Sequence, residues 1–137
     1  MAEGITGHRT KARKRALDIL FEVDLCESSV ADSLALHAGQ ADPPLRPYTV
    51  ELVEGVESNR DALDARIAAH LADDWTIQRM PRVDRNLARI AVYEMCHGQV
   101  EPAVAIAEAV DLAGGLSTDS SPAFLNGVLS AIAKDLG

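Results

Sequence analysis

Five cations stand within seven positions, at Arg9, Lys11, Arg13, Lys14 and Arg15, and Glu3 is the single acid among the first fifteen residues. A run of this kind suits phosphate. Each Lys or Arg that neutralises a phosphate releases a condensed counterion, so affinity grows with the number of contacts and weakens with salt. The plain alternative is a set of solvated surface charges. A second candidate is the segment from Ser120 and Ser121 through Phe124 to Asn126. There an aromatic ring could stack on an unpaired base while the polar neighbours bond its edges. On spacing alone the simpler reading makes Phe124 core and Asn126 a capping or helix–helix contact.

Residue types that would carry catalysis are present but not grouped. His8, His37, His70 and His97 are scattered, with no second His or Cys at i+3 or i+4 to suggest a metal. There is no GxSxG, Walker loop or GxGxxG. Glu51, Glu54, Glu57 and Asp61 have the spacing of a solvated helix face. Cys26 and Cys96 are too few and too far apart for a zinc knuckle or a CxxC pair, and both read as buried thiols. The expectation is a binding protein, not an enzyme, with no cofactor and no metal.

Net charge is −8, yet half of the eight basic residues beyond position 15 fall at Arg79, Arg82, Arg85 and Arg89. An acidic body with two local basic clusters binds phosphate through its local field, whatever its net charge. No apolar stretch approaches the length of a membrane span and the N-terminus has no signal-like apolar region, so a cytoplasmic location is expected.

The elements that must position these residues read as helices. Aromatics are only 4% and period-two runs are scarce, which argues against a sheet. A first helix follows the basic run, with Thr10 as its N-cap and Leu17, Leu20 and Phe21 at helical spacing. Val30–His37 is a second, capped by Ser28 or Ser29. A third starts near Pro47 and breaks around Gly55 or Ser58–Asn59. Trp75 is expected to plug a joint between helical layers. Pro81 precedes a central helix whose apolar stripe is Val83, Leu87, Ile90, Ala91 and Met95, with arginines on its polar side. Gly98 is expected in a left-handed stop. Pro102 opens the next helix, with Ala103, Ala107 and Ala113 as its close-packing face and Gly114-Gly115 as its end. Ser121 as N-cap and Pro122 as N1 open the last, in which Gly127 suggests a tight backbone contact.

In order, the chain holds Arg15-Ala-Leu-Asp-Ile-Leu-Phe21, Tyr48-Thr-Val-Glu-Leu-Val-Glu-Gly-Val56 with Asn59 and Leu63-Asp64, and Trp75-Thr-Ile-Gln-Arg79. Next come Val83-Asp-Arg-Asn-Leu-Ala-Arg-Ile-Ala-Val-Tyr-Glu94, Val104-Ala-Ile-Ala-Glu-Ala-Val-Asp-Leu-Ala113 and Ser121-Pro-Ala-Phe-Leu-Asn-Gly-Val-Leu129. In these segments the chain resembles the NusB family of bacterial transcription antitermination factors. The resemblance implies an all-α, NusB-like fold of two small helical bundles packed at a steep angle. One domain over 1–137 is expected, with a flexible tail at 1–7, an N-terminal bundle at 8–71 and a C-terminal bundle at 72–137. It implies binding of boxA RNA from ribosomal RNA leaders together with NusE, a small-subunit ribosomal protein. It also implies read-through by the RNA polymerase elongation complex with other Nus factors.

The family's RNA surface maps onto Arg9, Lys11, Arg13, Lys14 and Arg15, and onto Ser121 and Phe124. Its partner surface maps onto Phe21 and Asp84. Some members form homodimers, for which the first helix offers Leu17, Leu20, Phe21 and Leu25. The chain departs from the family pattern at Ala107, where Asn is frequent, and at Ser120, where an acid is frequent; the loss of that charge favours RNA. Two rivals remain. One is an adaptor that never touches RNA. The other is an RNA-binding module like those fronting ribosomal RNA methyltransferases, for which no glycine-rich strand–helix unit follows.

Overall fold

The computed structural model describes residues 8–40, 44–98 and 100–136, and among these the chain is all-α. Seven helices follow one another: α1 His8–Cys26, α2 Val30–Gln40, α3 Pro47–Ser58, α4 Arg60–Ala68, α5 Arg82–Cys96, α6 Pro102–Leu116 and α7 Ser121–Leu136, with a 3-10 turn at Ile77–Arg79 before α5. The tail expected at 1–7 and part of the turn after α2, residues 41–43, lie outside the described residues. No described helix is long and apolar enough to cross a membrane.

The helices group into two compact units, the first ending at Ser58 and the second beginning at Asn59. This boundary differs from the division at 71/72 expected from the sequence. Helix α4 packs on α5 and α7, which is why it groups with the second unit.

In the first unit α1 packs against α3 and α2. Ala12, Ala16, Leu17, Ile19, Leu20 and Val23 of α1 are buried, as are Leu52, Val53 and Val56 of α3. The Thr49 hydroxyl donates to the Ala12 carbonyl at 3.0 Å and ties α3 to the start of α1. Ser29 is the cap of α2, its Oγ accepting from the Asp32 N–H at 3.0 Å. Thr10 is no cap, since α1 already runs from His8. Past the end of α1, Glu27 takes φ 55, the left-handed position that glycine usually fills. The break expected after α3 occurs, with Asn59 between α3 and α4.

In the second unit α5 packs against α4, α6 and α7, and α6 against α7. Every residue from Asp84 to Val92 is buried, so α5 has no exposed arginine edge over that span. Arg89 lies against Asp64 of α4, Nε to Oδ1 at 2.7 Å and an NH2 to Oδ2 at 2.9 Å. Arg85 donates to the Ile77 carbonyl at 3.2 Å. The expected basic cluster is thereby divided: Arg79 and Arg82 stay exposed, and Arg85 and Arg89 brace the interior. Trp75 is half-buried beneath the Arg79 guanidinium, 5.1 Å from its ring centroid.

Several small residues serve otherwise than their spacing suggests. The buried alanines of α6 are Ala105, Ala109 and Ala113, whereas Ala103 and Ala107 are exposed. Helix α6 runs through Gly114-Gly115 and stops at Leu116. No glycine among the described residues has positive φ; at Gly98 the space is tight, because a Cβ there would lie 3.1 Å from the Glu94 carbonyl oxygen. A Cβ on Gly127 would meet nothing within 4 Å, so no tight contact explains it. Cys26 is exposed and Cys96 half-buried, against the expectation of two buried thiols.

Candidate nucleic-acid interface

The basic run forms the first two turns of α1, where helical geometry distributes it around the axis instead of presenting it as one face. Lys11 is exposed, and Arg9, Lys14 and Arg15 are half-buried. Arg13 is only 2% exposed. Arg9 and Arg13 both lie over the ring of Tyr48 at the start of α3, 4.6 and 5.8 Å from its centroid, within cation–π range. Arg13 is therefore part of the junction between α1 and α3, not an outward-facing cation as its place in the run suggests. Lys14 reaches both oxygens of Asp18 at 3.2 Å, an exposed pair of small energetic weight.

Arg15 is held from α2. Its guanidinium donates to His37 Nδ1 at 3.2 Å, and His37 Nε2–H donates to Glu22 Oε1 at 2.6 Å. Because the guanidinium can only donate, His37 accepts at Nδ1 and carries its proton on Nε2. The chain Arg15–His37–Glu22 orients one cation of the run.

Beside these lies a groove of about 220 Å³ lined by Lys11, Lys14, Arg15, Asp18, Pro44, Leu45, Arg46 and Thr49. Arg46 is a contributor that the sequence reading missed. It stands alone between Leu45 and Pro47, in no basic run and no periodic pattern. Tyr48 was missed as a site residue for a similar reason. It opens a segment that carries the family resemblance, but its role at the site depends on what packs against it.

At the start of α7 the site is built on a buried carboxylate. Asp84 is 2% exposed and accepts two hydroxyls, Ser117 Oγ at 2.5 Å on Oδ1 and Ser121 Oγ at 2.7 Å on Oδ2. Ser121 is 1% exposed, and its Oγ also accepts from the Thr118 N–H at 3.2 Å. Ser121 thus does not act as the side-chain cap expected of it. The first helical carbonyl is that of Ser120, which accepts the Phe124 N–H at 3.1 Å. Ser120 and Asn126 are exposed and Phe124 half-buried, so part of its ring faces outward from an anchored first turn.

Of the residues assigned to a partner surface, Phe21 is half-buried near the end of α1, and Leu25, one turn on, is 51% exposed. Asp84 is enclosed, with both oxygens engaged. No group of three or more His, Cys, Asp or Glu among the described residues is placed to hold a metal.

Comparison with known proteins gives one consistent result. The model of the NusB family matches residues 10–134. The chain is 53% identical over 131 residues to the transcription antitermination protein NusB of Salinispora arenicola, covering 92% of this chain and 95% of that protein. It is 53% identical over 125 residues to the protein of that name from Acidothermus cellulolyticus, covering 90% and 86%. Among solved structures, T. maritima NusB superposes with TM-score 0.83 at 26% identity, covering 93% of this chain and 91% of that one. A chain from the crystal structure of the antitermination factors NusB and NusE in complex with dsRNA gives TM-score 0.84 at 27% identity, covering 98% and 99%.

Proposed function

The chain belongs to the NusB family, and on that footing we propose that it is a transcription antitermination factor that binds boxA-type RNA of ribosomal RNA leaders together with NusE. It has no catalytic role of its own. Its action is to help the elongating RNA polymerase, with other Nus factors, read through terminators. The observation that carries this reading is likeness over nearly the whole chain, both to proteins named for antitermination and to a chain solved with NusE and RNA.

In this reading Arg9, Lys11, Lys14 and Arg15 contact phosphates. Arg13 supports them from within through Tyr48. Phe124 stacks on an unpaired base, and Ser121 holds the turn that carries it. Phe21, with Leu25, meets NusE. Asp84 serves from beneath, by fixing the chain between α6 and α7. The protein works where transcripts are made, in the cytoplasm.

The test is fluorescence anisotropy of boxA and scrambled RNAs, with and without NusE, at two salt concentrations. Preferential binding of boxA RNA that weakens with salt and falls on Phe124→Ala is the expected result. No preference even with NusE would leave an adaptor or an unselective RNA binder.

A further inference from the structure

The groove beside α1 contains a cation that no part of the basic run supplies. Four cations line it, Lys11, Lys14, Arg15 and Arg46, against one carboxylate, Asp18. Lys14 is engaged by Asp18 and Arg15 by His37. Lys11 and Arg46 make no ion pair or side-chain hydrogen bond with any described residue. Like charges held along one small cavity raise each other's free energy, and an anion between them relieves it.

The backbone at Arg46 is constrained on both sides. The Arg46 carbonyl accepts the N–H groups of Thr49 at 3.0 Å and Val50 at 3.3 Å, so Arg46 is the N-cap of α3. Pro47 restricts the residue before it to extended conformations. The adjoining first turn of α3 adds the partial positive charge of a helix N-terminus. At about 220 Å³ the groove has room for several waters of about 30 Å³ each, and hence for a phosphate group.

We propose that this groove is a seat for one phosphodiester of the bound RNA and that Arg46, from the connection between α2 and α3, is its fourth cation. The inference rests on the RNA-binding reading above. The seat adds affinity without choosing a base, because a phosphate carries no sequence information. Lys14 can leave Asp18 for the phosphate at little cost, since that pair is exposed.

The experiment titrates boxA and scrambled RNA with the full chain and with Arg46→Ala, Arg46→Gln and Arg46→Lys at several salt concentrations. Circular dichroism confirms that each variant is folded. Removing one phosphate contact to a single strand lowers the slope of log K against log salt by about 0.7, which is about a fourfold loss of affinity at 0.15 M salt. Arg46→Ala and Arg46→Gln should both show that loss, equally for the two RNAs, and Arg46→Lys should recover most of it. An unchanged slope in folded Arg46→Ala and Arg46→Gln overturns the seat while RNA binding by the parent chain stands, even if affinity falls. Failure of the parent chain to bind either RNA, with NusE as well as without it, overturns both readings.

Discussion

At the scale of single residues, local conformation and local charge separate positions that composition treats alike. Glu27 holds φ 55 with a side chain that disfavours it. Replacing it by Gly removes a steric cost of about 1 kcal/mol and restores some unfolded-chain entropy, for a net gain of about 0.5 kcal/mol. A rise in the chemical denaturation midpoint of Glu27→Gly at unchanged m-value checks this, and a fall would show that the Glu27 side chain has a stabilising contact of its own. Gly127 is the contrasting case, for its surroundings are open and nothing in the packing requires the absence of a side chain. Arg13 and Lys14 are neighbours in one basic run, yet the first is enclosed and the second half-exposed. Charge alone does not decide which of them can meet a phosphate.

At the scale of elements, the second unit is joined by buried polar contacts as well as by apolar packing. Asp84 on α5 holds the chain that leads from α6 into α7 through Ser117 and Ser121. Asp84→Ala removes the shared acceptor of the half-buried Ser117 hydroxyl and the buried Ser121 hydroxyl and should cost about 1–3 kcal/mol. Asp84→Asn, which keeps the shape, should cost less. Denaturation midpoints of the two variants give the comparison, and equal costs would mean that the lost charge, not the lost acceptors, dominates.

A second clasp joins the end of α4 to α7. His70 Nδ1 lies 2.9 Å from the Arg66 carbonyl and Nε2 lies 2.5 Å from Asp135 Oδ2. Both nitrogens face acceptors, an arrangement that only the imidazolium satisfies by donating twice. The Arg66 carbonyl first, and then the Asp135 carboxylate, raise the His70 pKa above its ordinary value, against opposing burial and the Arg66 charge. A folded-state value above the unfolded one means that the native state binds more protons. The contribution is therefore complete below about pH 6.5 and is lost as pH rises through the raised value. The stability difference between the parent chain and His70→Gln should shrink from pH 6 to pH 8. A difference independent of pH would leave the clasp as a neutral hydrogen bond.

At the scale of the whole molecule, the proposed function gives two kinds of surface to two kinds of partner. The basic entry of α1 offers charge, and the end of that helix offers Phe21 and the half-exposed Leu25. If the second surface meets NusE, Leu25→Ser should weaken NusE binding by about 1–2 kcal/mol, the worth of one buried aliphatic side chain, and leave the salt dependence of RNA binding unchanged. Calorimetry with NusE and anisotropy with RNA alone separate the two effects, and equal loss in both would merge the surfaces. The net charge of −8 belongs to this scale too. It favours solubility and limits unselective attraction to nucleic acid, so local clusters have to supply the binding field.

The helices and their breaks were legible in the chain because they depend on short-range physics: apolar spacing of three and four, proline at Pro47 and Pro102, and a serine cap at Ser29. The basic run at the start of α1 and the segments that identify the family were equally plain. Burial of charge was not. Arg85 and Arg89 occupy positions that pattern assigns to a polar face, and only the packing of α4 and the approach of Asp64 turn that face inward. Asp84 was legible as an acid at a helix start, whereas the hydroxyls that enclose it come from residues more than thirty positions later. Arg46 had no local signal at all. It joins Lys11, Lys14 and Arg15 because α3 folds back against α1, and proximity of that kind is a property of tertiary packing that one-dimensional spacing does not contain.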